Sequence, residues 1–144
     1  FHKEPLLRAI ELGLLPVFTG DLVFDRARVF SILSGDQIVS YLSKLLKPSR
    51  VIFGTDVDGI YTGDPKKENV KLIDRITEDN INEIFKFAKD TGDASGGMEG
   101  KLSEIIPIFD MGIEIDVINL TKKGILSETI KGNVKGTIIK KKNI

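Results

Sequence analysis

The chain has no cysteine, so neither a disulfide framework nor a thiolate metal site can be built from it. That absence also suits a reducing, cytoplasmic setting, which is the expected location. A single histidine, His2, excludes any site assembled from several imidazoles. No apolar run approaches the roughly 20 residues of a membrane span, and no signal peptide is read at the start. Neither sign of charge is in excess: 21 Lys and Arg balance 21 Asp and Glu. A global basic field that would draw in nucleic acid or an anionic membrane is therefore lacking, and neither partner is expected. There is also no internal repeat and no low-complexity tract.

What is present is ordinary globular sequence. Its 144 residues, 41% hydrophobic and 29% charged, suffice for one domain with one core. Leu6, Leu7, Ile10 and Leu14 fall at helical spacing, and Gly13 reads as a C-cap residue. Leu15-Pro16-Val17-Phe18 reads as a buried strand. Leu22–Phe24 and Arg28–Phe30 read as a small hairpin. Ser34-Gly35-Asp36 starts a helix carrying Ile38, Val39, Leu42, Leu45 and Leu46. Val51-Ile52-Phe53 is a central parallel strand, Lys71-Leu72-Ile73 a small one, and Ile81, Ile84, Phe85 and Ala88 mark another helix. A helix over Met98–Met111, a strand at 115–118, a helix at 124–130 and a strand at 136–139 complete the alternation. The expected fold is α/β, a three-layer αβα sandwich with a mostly parallel central sheet. Lys140-Lys141-Lys142 reads as a solvated tail. Asp90–Gly96 and Gly63–Asn69 read as mobile loops.

In such sheets ligands sit beyond the carboxyl ends of the strands. The polar loops at Thr19–Asp21 and Thr55–Gly59 would lie there, and four segments of the chain could carry chemistry. Ser95-Gly96-Gly97-Met98-Glu99-Gly100-Lys101 puts two glycines ahead of a helix, where backbone N–H groups can approach an anion. Lys101, one turn in, can reach back to a phosphate. The alternative is a flexible loop with a surface lysine. A Walker A motif is excluded, because Ser95 replaces its first glycine and Leu102 its magnesium-binding Ser or Thr. Thr55-Asp56-Val57-Asp58-Gly59 follows a buried strand and suits a nucleoside or phosphates, or merely caps and turns. Its continuation lacks the further ligands of an EF-hand. Asp36 either caps its helix or orients lysines around a transferring phosphoryl group. Gly20-Asp21 is a weaker candidate beside the plain reading of a turn.

Taken in order, Gly20-Asp21, Ser34-Gly35-Asp36, Thr55-Asp56-Val57-Asp58-Gly59-Ile60-Tyr61 with Asp64-Pro65, and Gly96-Gly97-Met98-Glu99-Gly100-Lys101 resemble the amino acid kinase superfamily. Within it they look most like the archaeal isopentenyl phosphate kinases. The resemblance implies an ATP- and Mg²⁺-dependent phosphotransferase of isoprenoid biosynthesis that turns isopentenyl phosphate into isopentenyl diphosphate. Uridylate, glutamate or fosfomycin-type kinases, or a non-catalytic nucleotide-binding module, are the alternatives. It implies that Lys101 and Asp36 are catalytic, with Lys101 on the moving phosphoryl group and Asp36 organising lysines. Thr55, Asp56, Asp58, Gly96, Gly97 and Lys101 would bind ATP, and Gly35 would border the acceptor phosphate. No residue of the chain is assigned to a metal. Ala94-Ser95 stands where Val-Thr is commoner, and keeps the hydroxyl. The resemblance covers nearly all 144 residues but only the C-terminal, nucleotide-binding half of the family's chain. Residues 1–144 are therefore expected to be part of a single domain whose N-terminal, acceptor-binding half is absent. A homodimer is expected by analogy alone.

Overall fold

The computed structural model describes residues 2–64, 69–90 and 97–142, with side chains omitted at 87–90 and 97–99. Ser95, Gly96, most of the expected mobile loops and the Pro65 of the Asp-Pro pair lie outside the described residues. The chain divides into two compact units, Phe1–Ile38 and Val39–Ile144.

The first unit opens on α1 (Glu4–Glu11), with Pro5 in its first turn, where its missing N–H costs nothing. The helix ends before Gly13, which holds the left-handed φ of 73° that a C-cap glycine tolerates. Residues 14–20 form no strand, against expectation. Leu15 is 88% and Val17 86% exposed. A strand needs a ladder partner for its backbone groups, and none of the described residues supplies one. The hairpin forms as expected: β1 (Asp21–Asp25) pairs antiparallel with β2 (Val29–Leu33). Asp25 closes its turn by accepting the N–H groups of Ala27 (2.7 Å) and Arg28 (2.9 Å). Helix α2 (Gly35–Leu46) starts with a reciprocal capping box. The Gln37 N–H donates to Ser34 Oγ (3.2 Å), and the Ser34 N–H to Gln37 Oε1 (3.0 Å). The boundary between the units falls within α2.

The second unit is built on a four-stranded sheet in the order β3 (Arg50–Thr55), β5 (Glu114–Asn119), β6 (Gly136–Ile139), β4 (Arg75–Ile76). The β3–β5 and β6–β4 pairs are parallel and β5–β6 is antiparallel, so the sheet is mixed but mostly parallel. Lys71-Leu72-Ile73 is not a strand: Leu72 makes one isolated bridge, to Tyr61, and the short edge strand lies a few residues later at β4. Alternation sends Val51 and Phe53 of β3, and Ile115 and Val117 of β5, to one face. There they pack with Ile81 of α3 (Ile81–Asp90) and with Leu102, Ile105, Ile108 and Phe109 of α4 (Gly97–Asp110). Asp116 points to the opposite face. That face is covered by α5 (Ile125–Ile130), whose Ile130 carbonyl accepts from Arg50 Nη2 at 3.1 Å. Helices therefore flank both sides of the sheet, the α/β layering expected.

The lysine run at the end is not a free tail. Lys140 pairs with Glu114 at 2.8 Å. Lys141 donates to the Asp110 carbonyl (2.9 Å) and sits over the Phe109 ring. Lys142 pairs with Asp79, and its backbone N–H donates to Glu78 (3.0 Å). Carboxylates of β5 and of the turn before α3 anchor Lys140 and Lys142, and a backbone carbonyl and a ring of α4 anchor Lys141.

Candidate active site at the carboxyl edge of the sheet

Helix α4 leads directly into β5 and packs back on it, so the two run in opposite directions. The start of α4 therefore lies at the edge where β5 and its parallel neighbour β3 end. Gly97 opens the helix at that edge, and Lys101 follows one turn later. Pro107 sits inside α4 without ending it. Lys101 is half-buried, with Nζ 5.2 Å from the centre of the Phe53 ring. Two residues beyond Phe53 on the same face stands Thr55, half-buried at the end of β3. Its hydroxyl donates to Asp56 Oδ1 at 3.3 Å, and Asp56 itself is exposed.

The loop that follows is fastened at both ends. Asp58 Oδ1 accepts from Asn119 Nδ2 (2.9 Å) and from the Lys122 ammonium (2.6 Å). These bonds, Lys122 first and Asn119 second, hold the Asp58 carboxyl below its ordinary value. Asn119 is fixed in turn, its Oδ1 accepting from Thr121 N (3.0 Å) and Thr121 Oγ1 (2.6 Å). Further on, the Ile60 N–H donates to the fully buried Thr137 hydroxyl (2.8 Å). Gly59 is required there: at φ 153° a Cβ would stand 2.6 Å from that same hydroxyl. Gly136, next to Thr137, comes so close to β5 that a Cβ would meet the Val117 carbonyl oxygen at 2.1 Å.

Thr55, Asp56, Asp58, Gly97 and Lys101 thus gather at one edge of one sheet. The structure also brings in Asn119 and Lys122, which the sequence reading missed. The signal was there in the Asn-Leu-Thr-Lys run directly after a buried strand, the place where ligands bind in such sheets. Asp58 is engaged by a cation and an amide, so its first role is to hold the loop. An open recess of about 380 Å³ lies on the α5 side of this loop. Asp58, Leu72, Lys122, Ile125 and Ile138 line it, whereas Lys101 and Thr55 do not. Gly35 and Asp36 belong to the first unit, in the first turn of α2. Asp36 is half-buried there, and a Cβ on Gly35 would meet open space. No three Asp, Glu or His side chains converge on a metal position among the described residues.

Residues 1–119 match the sequence model of the amino acid kinase family. The chain belongs to that family. It is 40% identical over 134 residues to an isopentenyl phosphate kinase of Methanothermobacter thermautotrophicus, covering 90% of this chain and 50% of that protein. Its identity to the isopentenyl phosphate kinase of Methanocaldococcus jannaschii is 32% over 141 residues, 96% of this chain and 51% of the relative. A crystal structure of an isopentenyl phosphate kinase superposes with a TM-score of 0.77 at 35% identity, over 95% of this chain and 50% of the other. The chain spans about half the length of these relatives. No helix among the described residues is long and apolar enough to cross a membrane.

Proposed function

We propose that this chain is the nucleotide-binding part of an ATP-dependent kinase that converts isopentenyl phosphate to isopentenyl diphosphate. The observation that carries the reading is Lys101, delivered by the start of α4 to the strand edge where Thr55 and Asp56 also end. Similarity to two archaeal isopentenyl phosphate kinases supports the acceptor. A phosphate oxygen of the acceptor attacks the γ-phosphorus of ATP, the bond to the β,γ-bridging oxygen breaks, and ADP leaves. The acceptor is already anionic near neutral pH, so no strong general base is needed. Catalysis reduces to aligning two anions and neutralising the charge between them.

In this reading the Lys101 ammonium stabilises the moving phosphoryl group. The Gly97 backbone at the helix start lies against the phosphates, with Gly96 assigned there by the family resemblance alone, and Thr55 and Asp56 face the nucleotide. Asp58 keeps their loop in place. Asp36 organises cationic side chains around the transfer, and Gly35 borders the acceptor's phosphate. Magnesium bound with the triphosphate would supply screening of the charge between the phosphates. It needs only one or two carboxylates besides phosphate oxygens and water, and exposed Asp56 is suited to that. The rest of the acceptor-binding apparatus belongs to the half of the relatives' length that this chain does not span. The family resemblance also carries a homodimeric, cytoplasmic enzyme, which sedimentation and fractionation would check.

The test is ADP release by the complete protein with isopentenyl phosphate, beside Lys101→Ala. Turnover with isopentenyl phosphate and a loss of about a hundredfold or more in the variant are expected. Turnover of uridylate or glutamate alone would overturn the acceptor. ATP binding without any phosphorylated acceptor would reduce the chain to a nucleotide-binding module.

A further inference from the structure

The core of the second unit is built almost wholly from Ile, Val and Leu. The two buried aromatic rings among its described residues, Phe53 and Phe109, each lie under a lysine ammonium: Lys101 at 5.2 Å from Phe53 and Lys141 at 5.6 Å from Phe109. Burial alone explains an apolar side chain at Phe53, which is only 2% exposed, but a leucine would serve a core of this composition as well. The ring adds a negatively polarised face, and that face is turned toward the cation that α4 brings to the strand edge.

We infer that Phe53 is a positioning residue for Lys101, its ring holding the ammonium at the carboxyl edge of β3 ready for the nucleotide phosphates. The inference rests on the kinase reading given above. A long lysine side chain samples many rotamers, and those that point to solvent contribute nothing to phosphate binding. Apparent affinity falls with the fraction of molecules whose side chain is in the competent arrangement. A ring contact is well suited to raise that fraction. An ammonium carries three N–H donors, and resting one side on a ring spends none of them on a competing oxygen acceptor. The contact is also weaker than a charge-assisted bond, so it does not compete with phosphate for the cation. Phe53 and Thr55 share a face two residues apart, about 7 Å along the strand, so a cation seated on the ring is one pleat from the threonine that ends β3.

The test weakens the ring's quadrupole without removing the ring. Mono-, di- and trifluorinated phenylalanine are placed singly at Phe53 in the complete protein. The Kd for ATP and the kcat/KM with isopentenyl phosphate are measured at each step. A stepwise loss of ATP affinity is expected, reaching roughly fivefold at the trifluoro ring. The same series at Phe109, whose lysine lies away from the site, should leave ATP affinity unchanged. In a Lys101→Ala background the series at Phe53 should become flat, which a purely structural role for the ring does not predict. A flat series at Phe53 in the otherwise unaltered protein, or an equal slope at Phe109, overturns the inference. If Lys101→Ala loses turnover while the Phe53 series is flat, only the role of Phe53 fails. If Lys101→Ala binds and turns over as the unaltered protein does, the kinase role of Lys101 fails with it.

Discussion

Arg50→Leu should destabilise the fold by about 3–5 kcal/mol, because it strands a buried carboxylate. Asp116 lies in the middle of β5 with no exposed surface, and neither of its oxygens has a hydrogen-bond partner among the described residues. Its compensation is the Arg50 guanidinium, whose Nη1 is 3.5 Å from Oδ2. At an effective dielectric of about 20 this attraction amounts to roughly 5 kcal/mol, the same order as the cost of leaving one buried charge unpaired. Burial pushes the Asp116 carboxyl above its ordinary value, Arg50 pulls it back, and Glu114 adds to the rise. With the folded pKa above the unfolded one, the native state binds more protons between the two values. The penalty of the buried charge is then complete above the folded pKa and is relieved as pH falls toward the unfolded value. Removing Arg50 raises the folded pKa further, so relief begins nearer neutrality. Urea unfolding followed by circular dichroism at pH 7 and pH 5, on the variant and the unaltered protein, reads both effects. The stability gap should be about 3 kcal/mol or more at pH 7 and smaller at pH 5. A gap below about 1 kcal/mol, or one that does not shrink on acidification, would refute the reasoning. Asp116→Asn, which removes the charge and keeps the shape, should abolish the pH dependence of the gap when combined with Arg50→Leu.

Two further outcomes follow from the loop and its supports. Lys122→Ala should raise the Asp58 pKa toward the ordinary carboxylate value, since the Lys122 bond is the largest cause of its depression. A carboxyl-carbon NMR titration reads this. Because a depressed pKa contributes stability above the unfolded value and loses it as pH falls through the folded one, the variant should also lose less stability on acidification. Gly136→Ala should lower thermal stability by about 1–3 kcal/mol, as a Cβ there would stand 2.1 Å from a backbone oxygen of β5. A melting curve unchanged from the unaltered protein would mean that β6 can shift away from β5 at little cost.

How much of this could be read from residues alone depends on how far apart the interacting groups lie along the chain. The helices carried by Ile38–Leu46 and Ile81–Phe85, the hairpin around Asp25 and the apolar strands at 51–53 and 115–118 are local patterns, and each forms where its period places it. Lys101 and Thr55 were legible for a similar reason: a glycine pair before a helix and a polar loop after a buried strand are contiguous signals. What escaped was set by distance. The partners of Asp58 lie 61 and 64 residues further along, at Asn119 and Lys122, and the Arg50 that faces Asp116 is 66 residues before it. Strand direction was equally hidden. Gly136–Ile139 has the composition of a strand whichever way it runs, and only its register in the folded sheet, Ile115 with Ile139 and Ile118 with Gly136, shows that it runs back against β5. Leu15–Phe18 shows the converse, since its apolar content predicts burial while a ladder partner decides whether a strand exists. The Lys140–Lys142 run misled in the same way: charge density alone suggests solvent, but Glu114, Glu78 and Asp79, each brought near by the fold, turn the run into a set of anchors. The candidate site combines both kinds of information. Its candidate groups, Thr55, Asp56 and Lys101, are local and readable, whereas the contacts around them, from Asn119, Lys122, Thr137 and the ring of Phe53, exist only once the sheet has closed the distances between them.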